Sequence, residues 1–362
     1  MIVRTWNRLS VVAGIALGTA WAGAGAGASR ADDVALVAGS TVKSIGGRVR
    51  GQISAETPTE LTVKLGASTQ TVPIDQVASI RYDGQPANMT LAETRELAGS
   101  YADAADLYKK AAAESSAKPF VMQAALFHQA RITGDMALAD PSKTSEAIAL
   151  LDAFTRSYAN GRHIVPAVEL LARLQLQKGD FAGVEKSITR IEALPRGADR
   201  AGVLRARLHA RQGNHEKALA ELDKLMKAAG SNPSKMREAR LAKAESLAAL
   251  KRFSEAETDL RAVISANAAE DFVAQSAAYN TLGDCLRAAG RKKDALYAYL
   301  HTDLLYSKDK EQHPRALAGI VRAWREIGRD DRADEALETL KKDYPKSPWL
   351  AAAKETEAPT PK

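Results

Sequence analysis

Residues 276–303 read SAAYNTLGDCLRAAGRKKDALYAYLHTD. Tyr279, Leu282, Gly283 and Leu286 recur at helical spacing, Gly290 interrupts them, and Ala295, Leu296, Tyr299 and Leu300 resume it. Apolar residues three and four apart share one helix face, so the stretch predicts two helices joined by a tight turn. The small residues Gly283 and Ala295 let the two helices approach closely, and Tyr299 is sized to fill the wedge beside the crossing. One such pair leaves an apolar face in water, so further copies are expected on either side of it.

The sequence supplies those copies. Gly99-Ser100-Tyr101 leads to Ala104, Tyr108 and Ala111, which repeat the turn glycine, crossing alanine and wedge tyrosine. Further echoes pair Gly179 with Val184 and Ile188, Gly213 with Ala218 and Leu222, Phe253 with Ala256 and Leu260, and Gly328 with Ala333 and Leu337. A degenerate copy has Ala147 and Leu151, and there Asp135–Ser145 is expected to insert a loop containing Pro141. The crossing residues fall at 104, 147, 184, 218, 256, 295 and 333, in steps of 43, 37, 34, 38, 39 and 38.

This pattern, an aromatic-x-x-Leu-Gly run followed by Ala and then an aromatic four residues later, resembles the tetratricopeptide (TPR) repeat. The resemblance covers residues 86–352 and implies a mainly α fold, a TPR solenoid of about seven helix-turn-helix units. Only one step equals the 34-residue TPR period, so the turns between repeats are expected to carry extra residues. Val184, in the place of alanine, is expected to loosen its pair slightly.

Before the array the periodicity changes. Val49, Gly51 and Ile53 alternate with Arg48, Arg50 and Gln52, and Leu61/Val63/Leu65, Thr71–Ile74 and Val77–Tyr82 follow between turn signals at 46–47, 57–58, 66–67 and 75–76. Alternation of this kind predicts four or five short strands in residues 32–85, a small all-β barrel-like module. It resembles SH3-like or Sm-like barrels, and its expected role is a folded N-terminal cap, with a docking module as the alternative. Residues 1–31 carry Arg4 and Arg8, an apolar run from Leu9 to Trp21 and a Gly/Ala stretch, which read as a signal peptide cleaved after Ala28 or Ala31. The expected location is therefore exported, periplasmic or extracellular, without a lipid-anchor cysteine and without a membrane span after cleavage. Asp343-Tyr344-Pro345-Lys346-Ser347-Pro348-Trp349 closes the last unit, with Trp349 expected to cover its final apolar face. That ending resembles exported bacterial TPR proteins of the Tol–Pal and outer-membrane-assembly type. Residues 353–362 are expected to be a disordered tail.

The remaining composition narrows the function. Hydrophobic residues make up 45% of the chain and aromatics 5%, a balance suited to small-residue helix packing. Removing Arg4, Arg8 and Arg30 of the leader from 51 basic residues leaves 48 against 44 acidic, a net charge of +4. That weak excess is spread along the chain and accompanies no nucleic-acid-reading motif. There is no phosphate loop, Gly-x-Ser-x-Gly elbow, HExxH helix or Cys-x-x-Cys pair, and Gly23, Gly25 and Gly27 lie in the leader. Cys285 is the only cysteine and reads as a small packing residue, and the six histidines are scattered, with His215 in the place of a turn aromatic. No enzyme activity, cofactor or metal is expected.

What remains is a surface. In TPR arrays the first helix of each unit lines a concave groove, and the repeat frame puts Arg173, Arg200, Arg207, Arg211, Asn280, Asp284, Arg287, Arg315, Arg322 and Arg325 on its exposed positions. Glu169, Glu238, Glu245 and Glu326 lie among them. Arginine forks grip carboxylates with two parallel hydrogen bonds, so the expected partner is a protein or peptide with acidic character. The alternative is a self-assembling structural component of the cell envelope. The Lys/Asn carboxylate clamp of chaperone-binding TPR proteins is not matched.

Overall fold

The computed structural model describes residues 31–116, 118–195, 197–229, 233–266 and 271–354. Residues 1–30 of the leader lie outside them, as does the tail from 355 onward, whereas residues 353 and 354, expected in the disordered tail, end the last helix, with Ala353 buried. Five strands come first: β1 (Asp32–Leu36), β2 (Arg48–Glu56), β3 (Glu60–Leu65), β4 (Ser68–Pro73) and β5 (Val77–Arg81). They form one antiparallel sheet in the order β4-β3-β2-β1-β5, with a single 3-10 turn, Ile74–Gln76, leading into the last strand. The long β2 pairs with β1 through its first half and with β3 through its second, so it bridges the two halves of the sheet. Its register to β3 shifts between Ile53 and Ala55. Such a bulge inverts the in-out alternation. Val49, Gly51 and Ile53 face inward before it, and Glu56 faces inward after it.

Seven helix pairs follow: α1 (Ala87–Leu97) with α2 (Tyr101–Glu114), α3 (Pro119–Ala139) with α4 (Thr144–Ser157), and α5 (Ile164–Lys178) with α6 (Phe181–Glu192). Next come α7 (Ala198–Arg211) with α8 (His215–Ala229), α9 (Pro233–Ala249) with α10 (Phe253–Ala266), α11 (Phe272–Ala288) with α12 (Lys292–Leu305), and α13 (Gln312–Ile327) with α14 (Asp330–Asp343). A short α15 (Pro348–Lys354) covers the end, and Trp349 and Leu350 pack there against Leu317, Leu337 and Leu340. Among the described residues no helix is long and apolar enough to cross a membrane.

All seven crossing residues, Ala104, Ala147, Val184, Ala218, Ala256, Ala295 and Ala333, are 0% exposed. Tyr299 shows why the small residues are needed. A Cβ on Gly283 would lie 2.5 Å from its ring, and one on Gly319 of the next pair 2.6 Å from it, so the ring is clasped between two glycines on α11 and α13. Two expectations are corrected. Residues 135–139 continue α3 rather than forming a loop, because Arg131 pairs with Asp135 one turn on and the helix stops only before Pro141. The residues in excess of the 34-residue period also lie in lengthened first helices: α3 has 21 residues, α9 and α11 have 17, and α13 has 16.

In six of the seven pairs the turn reverses the chain through a left-handed residue, Gly290 at φ 80 being typical, while the second pair turns through Asp140 and the 3-10 turn Pro141–Lys143. In the fifth pair that position is Lys251, at φ 61. A side chain there costs roughly 1–2 kcal/mol, partly offset by glycine's greater unfolded-state entropy. Lys251→Gly is expected to stabilise the protein by about 1 kcal/mol in urea denaturation. A destabilisation would contradict this account of the turn.

The β module and the array share a core. Val34, Val49, Ile53, Leu61 and Val63 form one cluster with Met89 and Ala92 of α1, Tyr108 of α2 and Val121 and Ala124 of α3. A buried polar junction reinforces it. Tyr82 Oη donates to Glu56 Oε1 at 2.7 Å, and Arg162, between α4 and α5, places Nε 3.2 Å from Glu56 Oε2.

Candidate partner-binding channel

Successive first helices touch along the array, α3 on α5, α5 on α7, α7 on α9, α9 on α11 and α11 on α13, and so form its inner wall. Most of the arginines placed there from the sequence do face along this wall, yet they are engaged with its carboxylates. Arg200 donates to Glu169 Oε2 at 2.6 Å, and Arg207 lies 3.3 Å from Glu238 Oε1. Arg287 meets Glu326 at 3.1 Å. Arg315 donates to Asp284 Oδ2 at 2.6 Å, while the other Asp284 oxygen accepts from Tyr299 Oη at 2.6 Å. Burial raises the Glu169 carboxyl above its usual range, and Arg200 opposes that shift.

Arg173 makes a contact of another order. Its guanidinium donates to both oxygens of Glu311, at 2.8 and 2.9 Å, joining α5 of the third pair to the residue just before α13 of the seventh. The solenoid therefore closes on itself. Lys346, between α14 and α15, approaches Asp140 of the second pair to 3.6 Å. Burial works against the Arg173 charge, but Glu311, Asp135 and Glu238 outweigh it and hold the guanidinium above the usual arginine value.

Three of the predicted residues hold the fold rather than present a surface. Asn280, expected to be exposed, is 0% exposed and donates to the Gln312 carbonyl at 2.8 Å, at the start of α13. Arg322 and Arg325 donate to the Ala352 and Ala353 carbonyls, at 3.1 and 3.2 Å, and so satisfy the last turn of α15. Arg211 is exposed at the end of α7 and has no charged partner among the described residues. Sequence reasoning missed Glu311, Asp140 and Lys346, whose partners are far away in the chain. Among the described residues no group of three or more His, Cys, Asp or Glu could hold a metal, and Cys285 is buried with its thiol directed at the Phe253 carbonyl.

The tetratricopeptide repeat family profile matches residues 203–271 and 241–301, which span the fourth, fifth and sixth pairs. The helical array is a TPR-like solenoid, and its residues 203–301 match the tetratricopeptide repeat itself. Among solved structures, a tetratricopeptide repeat protein from Parabacteroides merdae is 15% identical, with a TM-score of 0.48, covering 74% of this chain and 97% of its own. PilW, described as a widely conserved type IV pilus biogenesis factor, is 17% identical at TM-score 0.41 and covers 58% of this chain and 90% of its own. MamA from Desulfovibrio magneticus is 17% identical at TM-score 0.35 and covers 48% of this chain and 94% of its own. A search of curated proteins gives no match. A fold of this type suggests a protein-interaction scaffold.

Proposed function

We propose that the protein is an exported, non-enzymatic scaffold whose inner wall holds an extended or helical segment of a partner protein. The observation that carries this reading is the alternation of charge along consecutive first helices: Glu169 with Arg200, Arg207 with Glu238, Asp284 with Arg315. A wall of paired charges is electrostatically self-complementary, so it favours a segment that carries both signs over the acidic peptide that the arginines alone suggest. Exchange of wall pairs for partner pairs then sets register and specificity more than raw affinity. Many shallow contacts along several units, rather than one deep pocket, would supply the binding energy.

The test is affinity capture with the mature protein, followed by quantitative comparison of a variant. Arg207→Glu with Arg211→Glu reverses one paired and one unpaired wall charge, both partly exposed, and is expected to weaken capture at least tenfold, which corresponds to about 1.4 kcal/mol. The melting temperature should hardly move, since exposed pairs contribute about 0–1 kcal/mol. Undiminished capture by this variant would exclude the inner wall as the binding surface.

A further inference from the structure

We propose that the Arg173–Glu311 and Asp140–Lys346 ion pairs form a salt-sensitive clasp that holds the superhelical turn shut, and that the partner segment is admitted when the clasp opens. The purpose of the opening rests on the scaffold reading above; the clasp itself does not.

Both contacts join the same two ends. Asp140 and Arg173 belong to the second and third pairs, Glu311 and Lys346 to the seventh pair and its cap. No apolar cluster among the described residues has members on both sides of the closure. The clusters run from the β module to Ile132, from Phe127 to Leu174, from Ile164 to Leu208, and onward to Ala353, each following consecutive pairs, the longest from Leu219 of the fourth pair to Ala323 of the seventh. The closure is held by charge, not by packing.

That distinction decides how the closure responds. A solenoid owes its stiffness to interfaces between neighbours, so small rotations at the joints between the third and seventh pairs add up at the ends without unfolding any pair. The Arg173 and Glu311 side chains are 36% and 45% exposed, within reach of solvent ions. Exposed pairs of this kind are weak and are screened by salt, whose Debye length falls from about 10 Å at 0.1 M to about 3 Å at 1 M. The open state is also provided for. When Glu311 withdraws, the carboxylates of Asp135 and Glu238 still favour the Arg173 charge, so the cation is not left wholly uncompensated. In the closed state the same guanidinium is engaged across the channel, and a partner segment lying there would have to displace Glu311.

Small-angle X-ray scattering on the full chain, with no partner present, tests the clasp. At low salt, Arg173→Glu and Glu311→Arg should each show a larger radius of gyration than the wild type, and the double reversal should return to the wild-type value. Raising NaCl from about 0.05 M to about 1 M should expand the wild type toward the single variants and leave those unchanged. Wild-type dimensions in both single variants, or a wild type indifferent to salt, would overturn the proposal. Should a charge reversal lose helical circular dichroism, Arg173→Gln supplies the same reading: its dimensions must no longer respond to salt, and a wild-type response would overturn the clasp. Because the readout needs no partner, a failed capture experiment leaves this result standing, and the reverse also holds.

Discussion

Arg162→Ala is expected to destabilise the junction between the β module and the array by about 3–5 kcal/mol, the loss typical when one member of a buried ion pair is deleted. Glu56 has a side chain that is 1% exposed and Arg162 one that is 13% exposed. Burial already pushes the Glu56 carboxyl above its usual range, and Arg162 is the first of the groups that pull it back. Without the guanidinium, the carboxylate keeps only the Tyr82 hydroxyl and must either sit unpaired or take up a proton. Arg162 Nη2 also donates to Tyr82 Oη at 3.3 Å, so the deletion loosens the one hydroxyl that remains. The double variant Glu56→Gln/Arg162→Met removes both charges together and should recover most of the loss. Urea denaturation followed by amide exchange across β2 and α5 would measure it. A loss below about 1 kcal/mol for Arg162→Ala would mean that the junction does not depend on the pair.

Acidification from pH 7 to pH 5 is expected to destabilise the second and third helix pairs through two buried histidines, by about 2 kcal/mol for His128. His128 is stacked on Tyr108 at 5.0 Å and His163 on Phe127 at 4.0 Å. Burial, with Arg131 and Arg162 adding repulsion, lowers the His128 imidazole to about 3. Burial and the same arginines lower His163 well below its ordinary value. Both rings are therefore neutral in the fold, while in the unfolded chain they take up protons near pH 6.5. A lowered folded value means that the unfolded state binds more protons below pH 6.5, so this stability is full above that pH and is lost as the pH falls. The carboxyls of Glu56 and Asp135, raised mainly by burial, work in the opposite direction. The histidine share is isolated by comparing the wild type with His128→Gln/His163→Gln at both pH values. Equal pH dependence in the two proteins would remove the histidines from the account.

Much of the architecture was legible because the repeat rule is steric. A crossing residue must be small wherever two helices touch, so Ala104, Ala147, Ala218, Ala256, Ala295 and Ala333 mark their pairs from sequence alone, and even Val184 is fully buried at the same place. Alternation likewise revealed the strands of residues 32–85. It could not reveal that Glu56 points inward, because that depends on a bulge between Ile53 and Ala55 that no residue type announces.

The wall arginines teach a different lesson. Their positions follow from the repeat frame, but their partners lie about one repeat away: Glu169 and Arg200, Glu238 and Arg207, and Asp284 and Arg315 are each 31 positions apart. Equivalent positions on consecutive first helices are neighbours in space, so opposite signs one repeat apart are a readable signal of pairing. Reading the arginines without their carboxylates made the wall look basic. Arg173 and Glu311 lie 138 positions apart, and their meeting depends on the accumulated curvature of the array. No local pattern encodes that sum.

The Tyr299 ring, held between Gly283 of its own pair and Gly319 of the next, has a bearing on how the array comes apart. Part of its packing is lent by a neighbour, so the sixth pair has no complete core of its own. A chain cut after Leu305 would uncover the side of that ring against Gly319, and the loss of the seventh pair should carry the sixth with it. The last two pairs, from Phe272 to Lys354, are then expected to behave as one cooperative block, in which fraying cannot stop at the natural boundary between repeats.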